Sequence, residues 1–172
     1  MKRHYIDLQS EGGLKVVSSC GFTLIELLIS LAVIAVIATM ALPVAQMEVQ
    51  RMNEITLQRD LQEIRAGLDS YRLAYDGGRI IHTVGASGYP PTLDVLVTGV
   101  EDARDPAKHK IYFLRNIPRD PFSTDNSLSN VDTWGKRSYM SEPDSPSEGA
   151  DVFDVYSLSA ATGLNGILYK KW

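Results

Sequence analysis

From Leu27 to Ala45 the chain carries no charged side chain, and Ser30, Thr39 and Pro43 are its only polar or helix-breaking interruptions. A run of ~20 apolar residues is what a helix needs to cross the hydrocarbon core of a bilayer. Residues 1–21 in front of it hold Lys2, Arg3 and Lys15 against Asp7 and Glu11, a balance of +1. That excess leans toward a cytoplasmic N-terminus, with the rest of the chain on the far side of an inner membrane. One carboxylate, Glu26, stands at the start of the run. A charge facing lipid costs ~2.5–3.5 kcal/mol at the centre of a span and less near its end. Glu26 therefore sits where the penalty is reduced and where a partner would still help.

The run does not read as an ordinary secretory signal, because no Ala-x-Ala-like site precedes a clear mature start. "VSSC" at Val17–Cys20 has the look of a lipoprotein site, but its apolar stretch follows the cysteine instead of preceding it, and lipidation is not expected. Cys20 is the single cysteine of the 172 residues, so no internal disulfide can form. A net charge of −4 gives no basic footprint, and no nucleic acid is expected as a partner.

"GFTLIELLISLAVIAVIATMALP" resembles the N-terminus of type IV pilins and of the pseudopilins of type II secretion. Gly21, Phe22, Glu26 and Pro43 occupy the family's places for the glycine, the first mature residue, the glutamate and the proline of the helix. The resemblance implies cleavage between Gly21 and Phe22 by the prepilin peptidase and N-methylation of Phe22. It also implies that the new amine of Phe22 in one subunit pairs with Glu26 of a neighbour during filament assembly. A pair whose penalty is lifted only on assembly is a register device. The plain alternative is an anchor whose glutamate reaches the headgroups.

Beyond the apolar run, Leu57, Leu61, Ile64, Leu68, Tyr71 and Tyr75 recur at steps of four and three, one face of a helix. Arg65 and Asp69 are spaced for an i,i+4 pair, and Gly77 and Gly78 end the helix. Pro43, lacking an N–H, is expected to interrupt or kink it. The rest is more heavily punctuated: a turn and a short helix from Thr92, strand-like stretches at "KRSYMSE" and Asp151–Ser159, and a turn with a last short strand in "GLNGILYKKW". The expected fold is α+β and pilin-like, a long N-terminal helix packed on a small C-terminal antiparallel β-sheet. Its segments are a leader over 1–21, a transmembrane or filament-core half-helix over 22–45, an amphipathic half-helix over 46–78 and a globular domain over 79–172.

This last part is similar to the major pseudopilin of type II secretion. The matching pieces are Tyr89-Pro90 with Thr92 and Leu93, Ile117-Pro118 with Asp120-Pro121, Trp134-Gly135 with Tyr139, and Asp154 to Leu158. The aspartate–proline and aromatic–glycine pieces normally run together in the family. Here a polar insertion near 122–133 separates them and reads as a surface loop. Many relatives bind calcium after the last of these pieces, but "SAATGLNGILYKKW" has no carboxylate. Calcium takes six to eight oxygens, several from carboxylates, so no tight site, and no other cofactor, is expected.

No catalytic residues are expected either. No Gly-x-Ser-x-Gly elbow, His-Glu-x-x-His or phosphate loop is present. His82 and His109 fall in polar loops, His4 lies in the leader, and Asp102 and Asp105 read as a solvated face. The resemblance implies a non-enzymatic subunit of a helical homopolymer at the inner membrane, its C-terminal domain periplasmic. The prepilin peptidase, the minor pseudopilins, and an inner-membrane platform with its ATPase would be its partners. A type IV pilin or minor pilin serving adhesion, motility or DNA uptake is the nearest alternative, and a signal-anchored periplasmic binding protein that never polymerises is the other.

Overall fold

The computed structural model describes residues 21–172, with the backbone alone for 40–44. Residues 1–20, with Cys20, His4 and most of the expected leader, lie outside the described residues. Contacts divide the chain into two units, Met1–Pro43 and Val44–Trp172. Helix α1 is Leu24–Asp76, so Pro43 does not end it. Its end comes where the paired glycines stand. Gly78 takes a left-handed φ of 68°, Arg79 N–H donates to the Ala74 carbonyl and Gly78 N–H to that of Tyr75. These two bonds form the Schellman closure, which glycine permits without a Cβ penalty.

In the second unit the helical stripe is the spine of the core. Leu57, Leu61, Ile64, Leu68 and Tyr71 are buried and Tyr75 half-buried. They pack in one cluster with Leu93 and Leu96 from α2 (Asp94–Thr98) and its N-terminal flank, and with Ile117, Trp134, Val152, Val155 and Tyr169. The β structure is two separate two-stranded antiparallel ribbons: β1 (Val100–Glu101) with β2 (Lys110–Ile111), and β3 (Trp134–Arg137) with β4 (Asp154–Ser157). The fold class is the expected α+β. "KRSYMSE" is a strand only at Lys136 and Arg137, its continuation being turns, and the expected last strand is absent. Tyr169–Lys171 form a 3-10 turn instead, and the segment keeps one bridge, Thr162 to Leu168. The reason is packing: Tyr169 is buried between Phe122, stacked at 4.0 Å, and Trp172, edge-on at 5.2 Å.

The β3–β4 register sets Trp134 opposite Ser157, Gly135 opposite Tyr156 and Arg137 opposite Asp154. Gly135 lies beneath the Tyr156 ring, where a Cβ would fall 2.4 Å from two ring carbons. Only glycine leaves the ring room to cover the ribbon. The insertion near 122–133 is pinned at its base. Asn130 Nδ2 donates to the Ile117 carbonyl at 2.9 Å, and Trp134 Nε1 to that of Pro118 at 2.8 Å. Asp120, 2% exposed, accepts from Ser157 Oγ at 2.5 Å and Phe122 N–H at 2.8 Å, and its own N–H donates to Thr133 Oγ1. The aspartate–proline and tryptophan–glycine pieces, apart in sequence, are thus adjacent in space.

Two local expectations are corrected. Arg65 does not pair with Asp69; it reaches Asp154 Oδ1 at 2.8 Å and the carbonyls of Val155 and Trp172, because its position faces β4. Asp102 is not solvated. It is 8% exposed and accepts from Arg79 at 2.6 and 3.0 Å and from Arg104 N–H at 3.0 Å. The Arg79 guanidinium, with the Arg104 N–H, holds its carboxyl below the ordinary 3.8. Asp105 is lowered by the Ala107 N–H and by His109, and Asp125 by Ser127. At Asp151 burial pushes the pKa up, but donors including Ser138 and the Tyr139 N–H outweigh it. Each depressed carboxyl contributes stability that is complete above its unfolded pKa and is lost as pH falls through its folded pKa. Urea midpoints are therefore expected to stay level between about pH 7 and 5 and to fall below about pH 4. A midpoint unchanged down to about pH 2.5 would contradict the pairing.

Candidate functional site

The residues expected to act in assembly lie at the start of α1. Gly21, Phe22 and Thr23 precede the helix, and the Phe22 side chain is 80% exposed. Thr23 caps the helix: the Glu26 N–H donates to Thr23 Oγ1 at 3.2 Å, and the Leu27 N–H to the Thr23 carbonyl at 3.1 Å. Thr23-Leu24-Ile25-Glu26 is the spelling of a capping box, a signal the sequence carried and the family pattern obscured. Glu26 is the acidic residue of the first turn, where a carboxylate is favoured by the unpaired N–H groups and the helix dipole. Among the described residues, no hydrogen bond or ion pair reaches its side chain; its recorded bonds run through its backbone N–H and C=O. Two consequences follow for the chemistry. The Gly21–Phe22 peptide is open, non-helical chain of the kind proteolysis selects, and the Glu26 carboxylate is exposed to an incoming cation.

The turns that follow are apolar on every side. Leu24, Ile25, Leu27, Leu28, Ile29, Leu31, Val33, Ile34, Val36 and Ile37 are all more than half exposed. Ser30 and Thr39 turn their hydroxyls back onto the carbonyls of Glu26 and Val36, at 2.7 Å each. A helix apolar all round is one that lipid or other helices enclose, and a continuous apolar surface of this extent is an interaction surface. Among the described residues no helix is long and apolar enough to cross a membrane. The described apolar side chains from Leu24 to Thr39 fall short of the ~20 residues a span needs, and the span expected over 22–45 includes 40–44, whose side chains lie outside the described set.

In the C-terminal segment no tight calcium site is expected. Residues 159–168 bring no carboxylate of their own, and no group of three His, Cys, Asp or Glu that could hold a metal occurs among the described residues. The carboxylate that does reach the turn, Glu54 from α1, is met by donors: Leu164 N–H at 2.8 Å and Tyr169 Oη–H at 2.9 Å. A calcium site needs converging oxygens, so these residues do not fit the ion. His82 stacks on Tyr75 at 4.1 Å and His109 pairs with Asp105; both histidines are exposed.

The prokaryotic N-terminal methylation motif matches residues 18–42, the stretch that contains Gly21, Phe22 and Glu26. The chain is 28% identical over 120 residues to the type II secretion system core protein G of Pectobacterium carotovorum subsp. carotovorum, covering 67% of this chain and 70% of that one. No solved structure matches. The methylation motif stands at the capped start of an apolar helix, and the similarity to a core protein G runs on into the α+β domain; in both respects the chain resembles the type IV pilins and pseudopilins.

Proposed function

We propose that this chain is the structural subunit of a type II secretion pseudopilus. The observation that carries the proposal is the helix start: an open Gly21–Phe22 peptide, a capped first turn whose carboxylate has no partner among the described residues, and exposed apolar side chains beyond it. Cleavage at Gly21–Phe22 by a prepilin peptidase frees the Phe22 amine, which is then methylated. The apolar helix is held in the inner membrane, with the C-terminal domain in the periplasm, until assembly replaces lipid contact by contact with the helices of other subunits. The Phe22 amine of one subunit pairs with Glu26 of the next. A filament so built, growing from an inner-membrane platform driven by a cytoplasmic ATPase, pushes folded proteins across the outer membrane.

The similarity to a core protein G favours this reading over a surface pilus. N-terminal sequencing and mass measurement of the mature protein are expected to give a chain beginning at a methylated Phe22. A strain lacking the chain is expected to retain its secreted enzymes in the periplasm. A mature start at another residue would defeat the filament reading, and undiminished export from the deletion strain would defeat the secretion role alone.

A further inference from the structure

The turn after β4 ends over the side of α1. Two residues one helical turn apart, Gln50 and Glu54, reach it from below. Glu54 Oε1 accepts from Leu164 N–H at 2.8 Å, Tyr169 Oη–H at 2.9 Å and Gln50 Nε2 at 3.2 Å. Gln50 Nε2 also lies 2.9 Å from Tyr169 Oη and 3.3 Å from the Thr162 carbonyl. Within the turn, Gly163 N–H donates to the Ile167 carbonyl at 2.9 Å, Gly166 N–H to the Gly163 carbonyl at 2.9 Å, and Asn165 Oδ1 accepts from Ile167 N–H at 2.9 Å.

We infer that Glu54 is a metal-free latch: its fixed negative charge, supplied by the helix, closes the 161–168 turn and sets the position of Tyr169, so that the turn forms without a divalent cation. The argument rests on polarity. A cation-closed loop aims carbonyl and carboxylate oxygens at a common point. Here a main-chain N–H, a phenol O–H and an amide NH2 aim at a carboxylate oxygen, the arrangement of an anion site whose anion is covalently part of the protein. Hydrogen bonds to a charged acceptor are about twice as strong as neutral ones, and three share this oxygen. The latch also ties distant parts together. Tyr169 is 1% exposed, and its ring stacks on Phe122 at the mouth of the insertion while its hydroxyl is held at the helix. Glu54, Gln50, the turn and the base of the insertion therefore share one anchor.

Hydrogen exchange measured on the full-length protein in detergent tests this. Glu54→Ala is expected to speed exchange of the 161–168 amides about tenfold or more, as loss of charged hydrogen bonds predicts. The amides of Leu57–Leu68 should keep their protection. Tyr169→Phe, which keeps the ring and removes only the hydroxyl, is expected to speed the same amides about threefold. In the unaltered protein, excess calcium or a chelator is expected to leave them unchanged. The inference is overturned if calcium protects the turn or chelation exposes it, and equally if both substitutions leave its exchange as it was. Should Glu54→Ala prevent folding altogether, Tyr169→Phe and the calcium comparison decide by themselves.

Discussion

Replacing Glu26 with alanine is expected to leave the chain cleaved at Gly21–Phe22 and inserted in the membrane while lowering its assembled fraction by about tenfold or more. The expectation follows from what each step asks of the residue. Cleavage needs the open chain before Leu24, and insertion is eased by removing a carboxylate that costs up to ~3 kcal/mol in lipid. Assembly, on the proposed pairing, loses one member of an ion pair and leaves the Phe22 amine uncompensated, which is the costly way to break a pair. The structure adds a rival account, since Glu26 also stands in a capped first turn, where a carboxylate contributes about 0.3–1 kcal/mol to the helix start. Thr23→Ala separates the two, because it removes the capping oxygen, at about 1 kcal/mol, and leaves the charge. Assembly measured by cross-linking or filament recovery should survive Thr23→Ala and fail with Glu26→Ala. Equal failure of both would make Glu26 a helix-start residue, and unchanged assembly with Glu26→Ala would remove the pairing from the proposal.

What was legible in the sequence followed the range of the interactions involved. The stripe from Leu57 to Tyr75 could be read because helical period is local; its members are buried as far as Tyr71 and half-buried at Tyr75. The paired glycines at the end of α1 were legible for the same reason. At Arg65 two good partners compete: a local rule favours Asp69, one turn on, whereas Asp154, 89 residues away, lies across the packed face at 2.8 Å. Asp102 looked solvated because Arg79, which covers it, is 23 residues earlier across the end of α1. The strands of two and four residues are too short for a two-residue alternation to declare itself. In "GLNGILYKKW" the same apolar letters that suggested a strand serve instead to bury Tyr169. Gln50 and Glu54, one turn apart, had a local signal only for each other, since their partners in the turn and at Tyr169 lie 110 or more residues further on. Thr23 did have one, the capping-box spelling.

Trp134→Ala is expected to cost about 3–5 kcal/mol, the range for a fully buried aromatic cut to alanine. Trp134 is 1% exposed and belongs to the cluster built on the Leu57–Tyr71 stripe. It is also the first residue of β3, opposite Ser157, whose hydroxyl holds the buried Asp120. Its indole N–H is the donor to the Pro118 carbonyl at 2.8 Å. The substitution therefore opens a cavity beneath the ribbon, removes the donor to the Pro118 carbonyl at the base of the insertion and loosens the ribbon end that positions Ser157. Trp134→Phe keeps a ring in the core and gives up the hydrogen bond and part of the volume, so about 1–2 kcal/mol is expected. The order matters more than the values: a domain has about 5–15 kcal/mol in all, so alanine should leave a substantial unfolded population at growth temperature while phenylalanine should not. Urea unfolding of both variants by circular dichroism, with m held in common, measures the difference. A loss below about 1 kcal/mol for Trp134→Ala would mean that the aspartate–proline turn and the tryptophan–glycine strand are held together by something other than this side chain.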